Sequence, residues 1–76
     1  MIYNDSITSE FNNFCENVKK LRIENNLTKK AMAKKLEVST RTIRMIENHE
    51  IPVTLTVEFV FKIIRSFNVE GSDLFK

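Results

Sequence analysis

The sequence predicts an all-α fold, a compact bundle of five helices, on three observations. Apolar residues recur at three- and four-residue spacing along most of the 76-residue chain. Hydroxyl side chains at Thr28, Ser39 and Thr56 stand immediately before such runs, where a helix needs an acceptor for its free N–H groups. No repeat, linker or low-complexity tract divides the chain, and 42% hydrophobic content suits a single small core.

Residues 1 to 8 hold Ile2, Tyr3 and Ile7 among polar neighbours and are expected to form an N-terminal arm, with the folded domain occupying residues 9 to 76. From about Ser9, the residues Phe11, Phe14, Cys15, Val18 and Leu21 share one helical face, predicting a first helix that ends near Asn25-Asn26. Arg22 lies on that apolar face, where a charge needs a partner or must snorkel to solvent. Thr28 caps a second helix with Met32 and Leu36 inward and its lysines mostly elsewhere. After a turn at Glu37-Val38-Ser39, Ser39 opens a third helix, Thr40 to Glu47. On it Thr42, Ile43 and Ile46 share one side, while Thr40, Arg41, Arg44 and Met45 share the other.

Apolar residues at 51, 53, 55, 57 and 59 would by alternation argue for a strand, but Pro52 blocks a ladder bond. Thr56 followed by VEFVFKIIRSF reads better as a capped fourth helix with Val57, Val60, Ile64 and Phe67 inward. Ile51, Val53 and Leu55 then occupy a loop, to pack beneath it or to meet a second subunit. Asn68 suits a left-handed helix end, and Gly71-Ser72 introduces a final turn carrying Leu74 and Phe75.

Net charge is only +2, yet it is unevenly spread. Residues 19 to 44 carry nine basic and two acidic side chains, a balance of +7, and the remainder, with three basic and eight acidic, stands at −5. One basic face of this kind suits a polyanion, although a solvated lysine-rich helix would give the same charge. Catalytic chemistry is not expected. His49 is the single histidine, with no acidic or cysteine neighbour in sequence to make a triad or a metal site, and one glycine rules out a glycine-rich phosphate loop. Cys15 alone excludes an internal disulfide and reads as a small core residue. No basic segment precedes an apolar run at the N-terminus, and no apolar stretch nears about 20 residues, so a cytoplasmic, nucleoid-associated protein with no cofactor, no metal and no membrane partner is expected.

The stretch LTKKAMAKKLEVSTRTIRMIE, residues 27 to 47, resembles the helix-turn-helix of the Cro and phage-repressor type, the xenobiotic-response-element family. That family's usual run is Leu-Thr-Gln, a Leu-Ala pair, Gly-Val-Ser, an Ile in the second motif helix, then Ile-Glu-x-Gly. Here those places hold Leu27-Thr28-Lys29, Met32-Ala33, Glu37-Val38-Ser39, Ile43 and Ile46-Glu47-Asn48, and the likeness extends from about Phe14 to Phe75. Lys29 replaces the Gln, Glu37 the turn Gly, and Asn48 the Gly that commonly ends the recognition helix. The resemblance implies a lambda-repressor-like bundle with the motif at helices 2 and 3. It also implies an ion pair between Arg22 and Glu47, a left-handed backbone at Glu37 and a phosphate contact at Lys29.

The expected function is sequence-specific binding of double-stranded DNA by a small transcriptional repressor without an effector domain. Thr40, Arg41, Arg44 and Met45 would face base edges in the major groove, which admits an α-helix. Lys29, Lys30, Thr42, Asn48 and His49 would contact phosphate. Chains of this size bury only about 60 to 65% of their unfolded surface, so a homodimer is expected, through Ile51, Val53, Leu55, Leu74 and Phe75. The alternative is an antitoxin-like protein-interaction module that uses the 51 to 55 loop and the C-terminal helix against a protein partner.

Overall fold

The computed structural model describes residues 5–76. Four α-helices, α1 (Asp5–Glu24), α2 (Lys29–Leu36), α3 (Thr40–Glu47) and α4 (Val57–Phe67), precede a short 3-10 helix, Gly71–Phe75. Among the described residues there are thus four α-helices where five helices were expected, the last element being a 3-10 turn. The first helix also begins earlier than expected. Residues 5–8, assigned to the arm, belong to α1, and the rest of that arm lies outside the described residues.

Hydroxyl caps open three of the helices. Thr28 Oγ1 accepts from Ala31 N at 3.0 Å, Ser39 Oγ from Thr42 N at 3.2 Å, and Thr56 Oγ1 from Phe59 N at 3.2 Å. Each satisfies a donor that the first turn leaves free. The closing ends are also alike. Asn26, Glu37, His49 and Asn68 have φ of 56°, 59°, 60° and 53°, the left-handed region. At the first three of these ends, the N–H of the left-handed residue and that of the residue after it turn back to carbonyls of the last helical turn, as Glu37 does to Lys34 and Val38 to Ala33. Each end uses a non-glycine residue, although a left-handed conformation costs a side-chain-bearing residue about 1 kcal/mol.

Packing follows the spacing along α1, α2 and α3. Phe14, Cys15 and Val18 of α1 meet Met32, Ala33 and Leu36 of α2 and Ile43 and Ile46 of α3 in one core. Burial pushes the Cys15 thiol up to about 11, which keeps it protonated and unreactive at neutral pH. Along α4 the expected inward face is corrected: Phe59 and Ile63 are buried, Val60, Ile64 and Phe67 flank them, and Val57 is 69% exposed. The helix carries apolar residues nearly all round, so periodicity alone does not select which side turns inward.

The C-terminal turn lies back on α1. Leu74 is 1% exposed, Asn17 Nδ2 donates to its carbonyl at 2.9 Å, and the Phe75 ring stacks on Phe14 with centroids 5.5 Å apart. Leu74 is thus a core residue and is withdrawn from the expected dimer surface. Leu55 is half-buried, with part of its side chain packed against the core. In the loop between α3 and α4, Pro52 is buried and Leu55 N donates to its carbonyl at 3.0 Å. That turn holds Val53 outward at 97% exposure, and Ile51 is 68% exposed. No helix among the described residues is long and apolar enough to cross a membrane.

Candidate nucleic-acid interface

The site is built on α3. Its inward side chains Thr42, Ile43 and Ile46 are buried, which turns Arg41 and Arg44 fully outward and leaves Thr40 and Met45 half-exposed beside them. Arg41, Arg44, Met45 and Asn48, with Arg44 and Met45 each three or four residues from Arg41 and from Asn48, line one depression. Glu50 closes its end, an acidic residue that periodicity did not single out because it lies beyond the helix. Lys29, Lys30 and Lys34 stand exposed on α2. Lys35 differs from them, with its ammonium over the Phe67 ring 5.3 Å from the centroid, so part of its reach is spent within the fold. Among the described residues, neither arginine of α3 nor Lys29 nor Lys30 forms an ion pair, and their charge is available to a polyanion.

Two contacts hold the far end of this helix. Arg22 Nε donates to Glu47 Oε2 at 2.5 Å and Arg22 Nη2 to Glu47 Oε1 at 3.0 Å, a bidentate pair. Arg22 Nη1 also donates to the Leu27 carbonyl at 3.0 Å, so one guanidinium joins the end of α1, the following loop and the end of α3. The hydrogen bond to Glu47 raises the Arg22 pKa further, keeping the charge fixed. Among the described residues no buried side-chain nitrogen or oxygen lacks a partner.

His49 makes the second contact. Its left-handed backbone, just beyond α3, swings the ring against α1, with Nδ1 2.8 Å from Asn12 Oδ1 and Nε2 2.7 Å from Glu16 Oε2. Both ring nitrogens are occupied within the fold, so His49 is withdrawn from the phosphate-contacting set. The acidic neighbour that the local sequence does not show is Glu16, whose carboxyl this hydrogen bond holds below its ordinary value of 4.5. A separation of 33 residues hid it.

Thr42 is withdrawn for a similar reason. At 5% exposure, its hydroxyl lies 3.1 Å from Ser39 Oγ and 3.2 Å from Thr54 Oγ1, a chain that ties the motif turn to the α3–α4 loop. Glu37 does take the left-handed backbone, and it has a partner: Lys62 Nζ stands 3.4 Å from its carboxylate, on the surface. Asn48 is exposed and not left-handed, at φ −93°, since His49 has taken that conformation one residue later. Among the described residues no group of three or more His, Cys, Asp or Glu side chains gathers as a metal site would require.

Two short helices at a three-residue turn, the second showing a basic face and gripped at its far end, define the helix-turn-helix class. A family model described as Helix-turn-helix matches residues 18–74, and the chain belongs to that family, the Cro/C1 or xenobiotic-response-element type of DNA-binding regulator. No curated protein and no solved structure matches the chain.

Proposed function

We propose that the protein is a sequence-specific repressor that lays α3 in the major groove of double-stranded DNA, bound as a homodimer to two half-sites about one helical turn apart. The observation that carries this reading is the outward, unpaired placement of Arg41 and Arg44 on a helix whose opposite side is buried. Arginine reads guanine bidentately, and Thr40 and Met45 supply methyl contact to thymine. Lys29, Lys30 and Asn48 contact phosphate, with Lys29 at the opening of α2, where free amides also favour an anion. Occupying the site excludes competing proteins from the same DNA.

Binding by wild type, Arg41→Ala and Lys29→Ala, measured on a duplex selected from a random pool and on unselected duplex over a salt series, tests this. Arg41→Ala should lose about 1 to 3 kcal/mol on the selected duplex and much less on the unselected one. Lys29→Ala should weaken both alike and lower the salt slope by about one. Equal losses on both duplexes for both variants would refute base reading by this face. The apolar Ile51 and Val53, outward in the loop, favour the second reading, a protein-interaction module, which such a result would leave standing.

A further inference from the structure

The exposed side of α4 carries more apolar surface than a monomer needs. Val57 is 69% and Phe61 51% exposed, and Ile64 and Val60 are half-buried beside them. At 100° per residue Val57, Phe61 and Ile64 form one seam, spaced four and then three residues apart, as in a helix that packs lengthwise on another. The charges beside this seam decide what fits it. Glu58 lies three residues before Phe61 and Arg65 four residues after it, on the same flank, both exposed and in no ion pair among the described residues.

We infer that this α4 face is the surface on which two copies of the chain pair, antiparallel, about a two-fold axis that passes beside Phe61. An isologous contact must be self-complementary: what residue i meets in its neighbour must meet residue i in return. With the two helices antiparallel, Glu58 of each copy faces Arg65 of the other, and the two apolar seams close on themselves. A parallel pairing would carry the charged flanks to opposite sides of the seam, where Glu58 and Arg65 of the two copies could not meet. The groove lined by Phe11, Leu55, Val60 and Phe75 borders the seam and extends the apolar surface toward α1. This assignment rests on the homodimer reading above and moves the pairing surface from the 51 to 55 loop to α4. A helix pair this short buries little area, so association is weak in free solution and is reinforced on adjoining half-sites.

Sedimentation equilibrium of the full chain from about 10 µM to about 1 mM, the range in which a small interface associates, tests the assignment. Wild type should dimerise within that range and Phe61→Glu should remain monomeric. Glu58→Arg or Arg65→Glu alone should weaken pairing about tenfold, and the double reversal should restore it. Glu58 and Arg65 also complement the dipole of their own helix, so reversal costs the monomer some stability. Circular dichroism confirms that each variant is folded, and association is the readout. Phe61→Cys should form an intermolecular disulfide under mild oxidation, since a position beside the axis meets itself, whereas Arg65→Cys should not. Cys15 is buried and does not compete. A monomeric wild type, a dimeric Phe61→Glu, or a double reversal as weak as the single ones would each overturn it. Binding of Phe61→Glu to a selected duplex bearing one half-site is measured in parallel: its absence in wild type as well would sink the DNA reading and leave the pairing result intact.

Discussion

Arg22 and Glu47, 25 residues apart, meet through two hydrogen bonds of 2.5 and 3.0 Å that fasten the end of α3 to the end of α1. The pair is largely screened from solvent, so removing one partner leaves the other desolvated. Arg22→Ala and Glu47→Ala should each cost about 3 kcal/mol, at the lower end for buried pairs because some solvent still reaches Arg22. The double variant should cost far less than the sum. Chemical denaturation of the four proteins checks this, and additive losses would show the two residues to be uncoupled.

Glu37→Gly should be neutral or stabilise the fold by up to about 1 kcal/mol, because glycine takes the left-handed backbone without strain but loosens the unfolded chain. The surface contact with Lys62 offsets little of this, since exposed ion pairs contribute about 0 to 1 kcal/mol. Thermal melts of both proteins decide it, with a loss above about 1 kcal/mol as the contrary result.

At the end of α3 the same substitution should behave differently. His49→Ala loses two ring hydrogen bonds and keeps the left-handed strain, whereas His49→Gly loses the bonds and sheds the strain. The alanine variant should therefore be the less stable by about 1 kcal/mol, as measured by denaturant unfolding.

The carboxyl of Glu16 is held below its ordinary value of 4.5 by His49, so its contribution is present above that value and is lost as pH falls through the lowered one. Acid unfolding should show this directly. Glu16→Gln should lower stability at neutral pH, where the carboxylate is ionised, and change it little in acid, where the wild-type carboxyl is protonated, so that the fall in stability below about pH 4.5 is flattened. An unchanged acid slope would show that the contact does not persist in solution.

Thr42→Val keeps the shape of the side chain and removes a hydroxyl that already has two partners inside the fold. Stability should fall by about 1 kcal/mol, and affinity for the selected and the unselected duplex should stay as in wild type. An equal loss of affinity on both duplexes would return Thr42 to the phosphate-contacting set.

How far the sequence discloses the structure depends on whether the deciding interaction is local. Thr28, Ser39 and Thr56 are legible as caps because each hydroxyl acts on an N–H three residues away. The inward faces of α2 and α3 are legible because only one side of each is apolar. Along α4 the pattern fails, since Val57, Phe59, Phe61 and Ile63 compete for the interior and only the packing of the other helices chooses between them. Arg22 signals a need for a partner by lying on an apolar face, and family likeness supplies Glu47. His49, Asn12 and Glu16 carry no such signal, because an exposed polar side chain creates no demand that the sequence can reveal.

Both fastenings of α3, Arg22 with Glu47 and His49 with Asn12 and Glu16, act at its C-terminal end. Mechanically the helix is a cantilever. Ile43 and Ile46 clamp its middle, and beyond Ile43 the first turn is tethered by the hydroxyls of Ser39, Thr42 and Thr54. Those hydroxyl contacts are neutral and weaker than the charged pair at the far end, so amide exchange along α3 should quicken toward Thr40 and Arg41. On the proposed reading the residues that meet DNA are then those with the most freedom to lose, and stiffening that one turn of helix would tighten binding without adding a single contact.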